Sequence, residues 1–139
     1  MAAFVIDASV TLPWCFADEA TKATNELLIR LRTGDEANVP SHWPAEVANA
    51  LLVAVRRMRI PPFDALKFLA DLEVLPIRIH TTTINLVREG IFRVAEQYGL
   101  TIYDAAYLGL AMRRNLPLAT LDHDLRKAAR AAGVSLVEL

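Results

Sequence analysis

Four acidic residues stand where a chain of alternating strands and helices would present them for chemistry: Asp7, Glu46, Asp104 and Asp122. Asp7 directly follows Phe4-Val5-Ile6, a short apolar run that predicts a strand buried on both faces of a parallel sheet. Asp122 lies just beyond Leu118-Ala119-Thr120, which reads as another strand. Glu46 sits just inside a helix whose first turn is marked by Pro44. Asp104 completes Thr101-Ile102-Tyr103-Asp104, a pattern that opens helices. In a right-handed β-α-β unit the helix runs back antiparallel to its strands, so its amino end lies at the carboxyl edge of the sheet. All four acids are therefore expected on one rim, the edge where open α/β sheets bind ligands.

Carboxylates gathered on one rim repel each other, and divalent cations are the usual compensation. Oxygen-only ligands suit Mg²⁺ or Mn²⁺. Such an ion lowers the pKa of a bound water, and a pair can clamp the attacking and leaving oxygens of a phosphodiester. The chemistry implied is hydrolysis of a nucleic-acid backbone. Ser9, Asn49 and Thr120 lie one or two residues, or one helical turn, from an acid, and are candidates for holding waters or carboxylate rotamers. Asn49 interrupts an apolar helix and is expected to need a partner: Glu46, a metal-bound water or a buried structural bond. Each acid also has an ordinary use, as a turn or helix cap or in a first helical turn. Their shared location is what argues for chemistry.

The remaining groups are weighed similarly. His42, His80 and His123 share no spacing and read as surface or turn residues. Trp14, Trp43, Tyr103 and Tyr107 read as core or interface aromatics, with base stacking as the other use. Arg56, Arg57 and Arg59 form one candidate patch for nucleic-acid phosphates and Arg113 with Arg114 another; such residues also complement helix ends.

The elements that must position these residues follow from pattern and punctuation. The chain has 139 residues, 54% hydrophobic and 22% charged, which suits one folded domain and argues against disorder. Its net charge of −1 is not that of a plain basic nucleic-acid binder, although setting four acids aside turns it into +3. The single cysteine, Cys15, excludes an internal disulfide or a cysteine-built metal cluster and reads as a small buried residue. No signal peptide or membrane span is apparent, so a soluble cytoplasmic protein is expected. After the first strand, Val10 to Ala17 reads as a short helix or turn around Pro13. A helix follows Asp18-Glu19 and runs to about Arg32. Asn38-Val39-Pro40 reads as a second strand. Helices are expected from Pro44 to about Met58, Phe63 to about Leu72, Thr83 to Tyr98, Thr101 to Arg114 and His123 to Ala132. Leu75 to Ile79 reads as a third strand and Ser135 to Val137 as a last one, completing an α/β domain with a mostly parallel sheet of about five strands.

Several stretches together resemble the PIN-domain ribonucleases, above all the VapC-type toxins of bacterial toxin–antitoxin pairs. They are Val5-Ile6-Asp7-Ala8-Ser9-Val10, Trp14 with Glu19 beyond it, Glu46-Val47-Ala48-Asn49-Ala50-Leu51, Tyr103-Asp104-Ala105-Ala106-Tyr107-Leu108, and Leu118-Ala119-Thr120-Leu121-Asp122. The resemblance implies one PIN-like nuclease domain over 1–139, with a central parallel sheet between two helical layers. It implies a Mg²⁺-dependent endoribonuclease acting on structured RNA such as tRNA, a homodimer, and a small VapB-like antitoxin whose tail blocks the site. By the same likeness Asp7, Glu46, Asp104 and Asp122 bind the metal. The sequence departs from the simplest pattern at Asp122-His123-Asp124, where Asp124 is an alternate fourth acid.

Two other readings stay open at this stage. A non-catalytic module could use the acidic rim to bind an arginine-bearing peptide or a regulatory cation. An aspartyl-phosphate enzyme also places an acid after its first strand, but Ser9 occupies the place where its second acid would stand, and no late-strand lysine is evident.

Overall fold

In a computed structural model, which describes residues 1–139, four parallel strands form a sheet in the order β3-β2-β1-β4. The elements run β1 (Ala3–Ile6), α1 (Ala8–Thr11), a 3₁₀ turn (Leu12–Trp14), α2 (Lys22–Arg32), β2 (Glu36–Pro40), α3 (Trp43–Arg56) and α4 (Pro62–Glu73). They continue with β3 (Ile77–His80), α5 (Ile84–Leu86), a π turn (Val87–Ile91), α6 (Phe92–Tyr98), α7 (Ile102–Arg114), β4 (Leu118–Ala119) and α8 (His123–Ala131). β1 is central because Phe4, Val5 and Ile6 leave no polar side chain to face water, and all three are fully buried.

The chain steps outward from β1 to β2 and β3, then returns across β1 to reach β4. Right-handed crossovers taken in opposite directions place their helices on opposite faces of the sheet. α2, α3 and α4 therefore cover one face, and the segment from α5 to α7 covers the other. The direction reverses at β1, so the crevice at its carboxyl end is the expected ligand position of an open α/β sheet. Asp7 occupies that end.

α7 is set firmly. Every residue from Ala105 to Ala111 is buried. The helix packs on β1 and β2, while Ala105 and Ala106 join Ile91 and Ala95 in a second apolar cluster against α6. Small side chains allow this close approach on two sides, and the position of Asp104 in the first turn is fixed with the helix.

The differences from the sequence reading have local causes. The last strand reduces to one parallel bridge, Leu118 to Leu136, because β4 is only two residues long. α2 begins at Lys22 because Thr21 and Thr24 cap it reciprocally. Asp18 and Glu19 instead pair with Arg59, across the chain. β3 starts after Pro76, which has no N–H to donate. Cys15 is half-buried. No helix is long and apolar enough to cross a membrane.

Candidate active site

The site is built outward from Asp7, which is only 6% exposed. Ser9 Oγ donates to its Oδ1 at 2.6 Å, and Thr120 Oγ1 donates to its Oδ2. Each hydroxyl in turn accepts a backbone N–H from the turn after β4: Leu121 N to Ser9 Oγ at 2.8 Å, and Asp122 N to Thr120 Oγ1 at 3.0 Å. An occupied acceptor side turns each hydroxyl proton toward the carboxylate. Ser9 and Thr120 therefore orient Asp7 and couple β1 to β4. Thr11 Oγ1 donates to the Asp7 carbonyl at 2.8 Å and accepts Trp43 Nε1 at 3.3 Å, which ties the strand end to α3. Burial pushes the Asp7 carboxyl up to about 6, against the lowering by its hydrogen bonds from Ser9, Thr120 and the Val10 amide; the charge of Glu46 adds to the rise.

Glu46 lies in the first turn of α3, where the helix dipole favours a carboxylate. Tyr107, buried on α7, donates its hydroxyl to Glu46 Oε1 at 2.6 Å. Burial and that bond hold the phenol well above its ordinary range, so it remains a donor. Asp104 opens α7. Its amide bonds Thr101 Oγ1 at 3.1 Å, but its carboxylate makes no return bond to Thr101. Only half of the expected capping box forms, and the half-buried carboxylate is left free. Its pKa is raised by burial first, then by the charges of Asp122, Glu46 and Asp124. Asp122 caps α8, accepting Leu125 N at 2.9 Å through Oδ2, while Asp124 is exposed in the first turn.

These mutual influences bring together residues widely separated in sequence. Asp7 feels Glu46, and Asp104 feels Glu46, Asp122 and Asp124. None of the five acids joins an ion pair. A rim of carboxylates without a protein cation suits a hard dication in its donor chemistry. No three of the side chains already form a ligating cage.

Other candidates are placed differently from expectation. Asn49 is exposed and bonds neither Glu46 nor any other side chain. Trp43, Val47, Leu51 and Ala54 take the inward face of α3, which turns Asn49 to water. Arg59 is committed elsewhere: it pairs with Asp18 at 2.9 Å and Glu19 at 2.7 Å, and stacks 4.0 Å over Phe16. Arg56 and Arg57 are exposed at the far end of α3 from Glu46. Arg113 and Arg114 lie in the last turn of α7. Trp14 bonds the Thr24 carbonyl at 2.7 Å and Trp43 is buried, both structural roles, while Tyr103 is 63% exposed beside Asp104.

His42, expected at the surface or in a turn, lies in the turn before α3 with its ring half-buried. It packs edge-on against Tyr103 and Tyr107, with ring centroids 5.4 and 5.0 Å away. Its Nε2 is buried without a hydrogen-bond partner. Burial lowers its pKa, partly offset by Glu46.

Comparison with known proteins gives a consistent picture. A family model described as PIN domain matches residues 4–131. The fold is similar to PAE2754 from Pyrobaculum aerophilum, with 24% identity, TM-score 0.67, and coverage of 92% of this chain and 87% of that one. It is similar to VapBC2 from Rickettsia felis, crystallised with a DNA fragment of its promoter, at 15% identity, TM-score 0.65 and coverage of 99% and 98%. It is also similar to Mycobacterium tuberculosis VapC20, a sarcin-ricin loop cleaving toxin, at 16% identity, TM-score 0.68 and coverage of 98% and 99%. At these identities the likeness is one of fold. No curated protein matches the sequence significantly.

Proposed function

The chain belongs to the PIN-domain family, and from that membership and its acidic rim we propose that it is a Mg²⁺-dependent endoribonuclease. In this reading it is a single nuclease domain over 1–139 and the toxin of a type II toxin–antitoxin pair, with a VapB-type antitoxin, a homodimeric assembly and a cytoplasmic setting. Mn²⁺ is the alternative ion. The fold likeness to VapBC2 and to a toxin that cleaves the sarcin-ricin loop supports structured RNA as the substrate class.

The observation that carries the reading is the uncompensated rim. Asp7, held buried with its pKa pushed up to about 6, is a costly group for a fold to retain unless something outside the protein relieves it. Asp7, Glu46, Asp104 and Asp122 would hold the ion, with Asp124 as alternate to Asp122. When bound, Mg²⁺ supplies Lewis acidity toward a water and a phosphoryl oxygen.

The protein's own groups do the positioning. Ser9 and Thr120 fix the Asp7 carboxylate from either side, and Tyr107 fixes Glu46. Asp104 has no internal bond and is free to turn toward a ligand. No carboxylate is required as a covalent nucleophile. The test is incubation of the purified chain with total RNA in Mg²⁺ and in EDTA. Metal-dependent fragments, lost in Asp7→Asn and Asp104→Asn while both variants stay folded, support the nuclease. Full cleavage by either variant, or no cleavage of several RNAs, would refute it and leave the rim as a peptide- or cation-binding surface.

A further inference from the structure

A second cluster, on the outer strand β3 and the last turn of α7, has the opposite charge. Asn38, on the inner strand β2, is 4% exposed, and a buried amide costs stability unless it is satisfied. Its Nδ2 faces the Phe4 carbonyl at 3.5 Å, and its Oδ1 lies 2.7 Å from His80 Nε2. The other ring nitrogen, His80 Nδ1, lies 3.3 Å from Arg114 Nη2. A guanidinium can only donate, so Nδ1 must accept and Nε2 must carry the hydrogen given to Asn38. The chain of partners from the core through Asn38 and neutral His80 therefore ends on an oriented arginine. Arg78 pairs in register with Asn38 and shares the face of His80, Arg113 neighbours Arg114 in the last turn of α7, and the pKa of His80 is lowered by burial first and then by the charges of Arg114, Arg78 and Arg113. None of Arg78, Arg113 or Arg114 joins an ion pair. The one acid acting on His80, Glu36, bonds none of them.

Three arginines crowded without a carboxylate partner, one of them aimed by a buried polar relay, form an oxyanion site. We propose that Arg78, Arg113 and Arg114, with His80 as the positioning residue for Arg114, hold backbone phosphates of the RNA away from the scissile bond. The inference rests on the endoribonuclease reading and adds the place where the substrate strand is gripped. α7 links the two: Asp104 is in its first turn and Arg113 and Arg114 are in its last, about 14 Å apart along the axis. The helix between them is buried, so an RNA that contacts both ends would span that distance over the surface and meet the arginines a few nucleotides from the acid rim. Planar guanidiniums suit phosphate oxygens, which they can bind in a bidentate manner.

The experiment measures binding of a single-stranded RNA to the Asp104→Asn protein across a salt series, alone and combined with Arg78→Gln, Arg113→Gln, Arg114→Gln or His80→Ala. Arg32→Gln, an exposed arginine on α2, is the control. Each cluster arginine removed should reduce the slope of log K against log salt by about 0.7, the value for one single-strand phosphate contact. His80→Ala removes no charge, so it should weaken binding severalfold and leave the slope unchanged. In the Asp104-intact protein the arginine variants should raise KM for RNA cleavage with kcat retained. Slopes equal to the control in all three arginine variants would overturn the proposal, including the case where they lose an acidic protein partner instead. If cleavage persists in that outcome, the nuclease reading stands and only this inference falls. Absence of both RNA cleavage and RNA binding would remove both.

Discussion

Asp7→Asn should stabilise the metal-free protein, although it removes a residue that the fold takes trouble to orient. The Asp7 carboxyl lies at 3.8 in an unperturbed chain and at about 6 in the folded one. Because the folded value is the higher, the folded state binds the proton more tightly, and stability falls as pH rises from about 4 to about 6. At about 1.4 kcal/mol per tenfold, that gap corresponds to about 3 kcal/mol lost at neutral pH. An asparagine avoids the charge and can still accept from Ser9. Thr120 must then accept from the new amide rather than donate, a rearrangement that costs about 1 kcal/mol. The net gain at pH 8 is about 2 kcal/mol, or about 7 °C in Tm for a chain of this size. The assay is thermal unfolding in EDTA from pH 4 to pH 8, wild type against variant, with circular dichroism as readout. The variant should be slightly the less stable near pH 4, the curves should cross as the carboxyl ionises between pH 4 and pH 6, and the variant should stay higher above pH 6; added Mg²⁺ should raise the wild type and not the variant. Parallel curves across the whole range, or a variant less stable at pH 8, would refute the idea that Asp7 is a buried charge awaiting a cation.

Further expectations concern the other acids and their supports. Asp122→Asn should keep α8 capped, since asparagine caps as well as aspartate, yet abolish RNA cleavage, while Asp124→Asn should retain it; gel assays of the two variants distinguish the fourth acid. Tyr107→Phe removes only the hydroxyl bonded to Glu46 and should weaken divalent-ion binding about tenfold, read by calorimetry, with the melting curve little changed. Thr120→Val should lower the cleavage rate by releasing one Asp7 oxygen, whereas Asn49→Ala should leave it unchanged, because Asn49 is exposed and unbonded; steady-state kinetics on one RNA checks both.

The sequence carried the gathering of the acids because that depends on coarse order alone. A buried run before Asp7, a strand before Asp122 and helix starts at Glu46 and Asp104 are enough to place them at one edge. Details that depend on side-chain direction were hidden. The facing of Asn49 depends on where α3 sets its inward stripe, and Glu46 one turn away does not reveal it. The Thr101 pattern looked like a complete capping box, but only tertiary placement leaves the Asp104 carboxylate unbonded. Asn38 and His80 lie 42 residues apart and meet only because β2 and β3 pair in register. The last strand failed for a similar reason: Ser135 to Val137 has the composition of a strand, but β4 offers it too little backbone to pair with.

The central claim is that carboxylates from four separate parts of the chain create one binding place for a hard dication. Titration of the metal-free protein with Mn²⁺, followed by the loss of free-ion electron paramagnetic resonance signal at pH 7.5, tests it without any RNA. Saturable binding that Mg²⁺ displaces, and that Asp7→Asn and Asp104→Asn each weaken strongly, is the predicted result. Binding of equal strength in the wild type and both variants, or no binding at all, would contradict it.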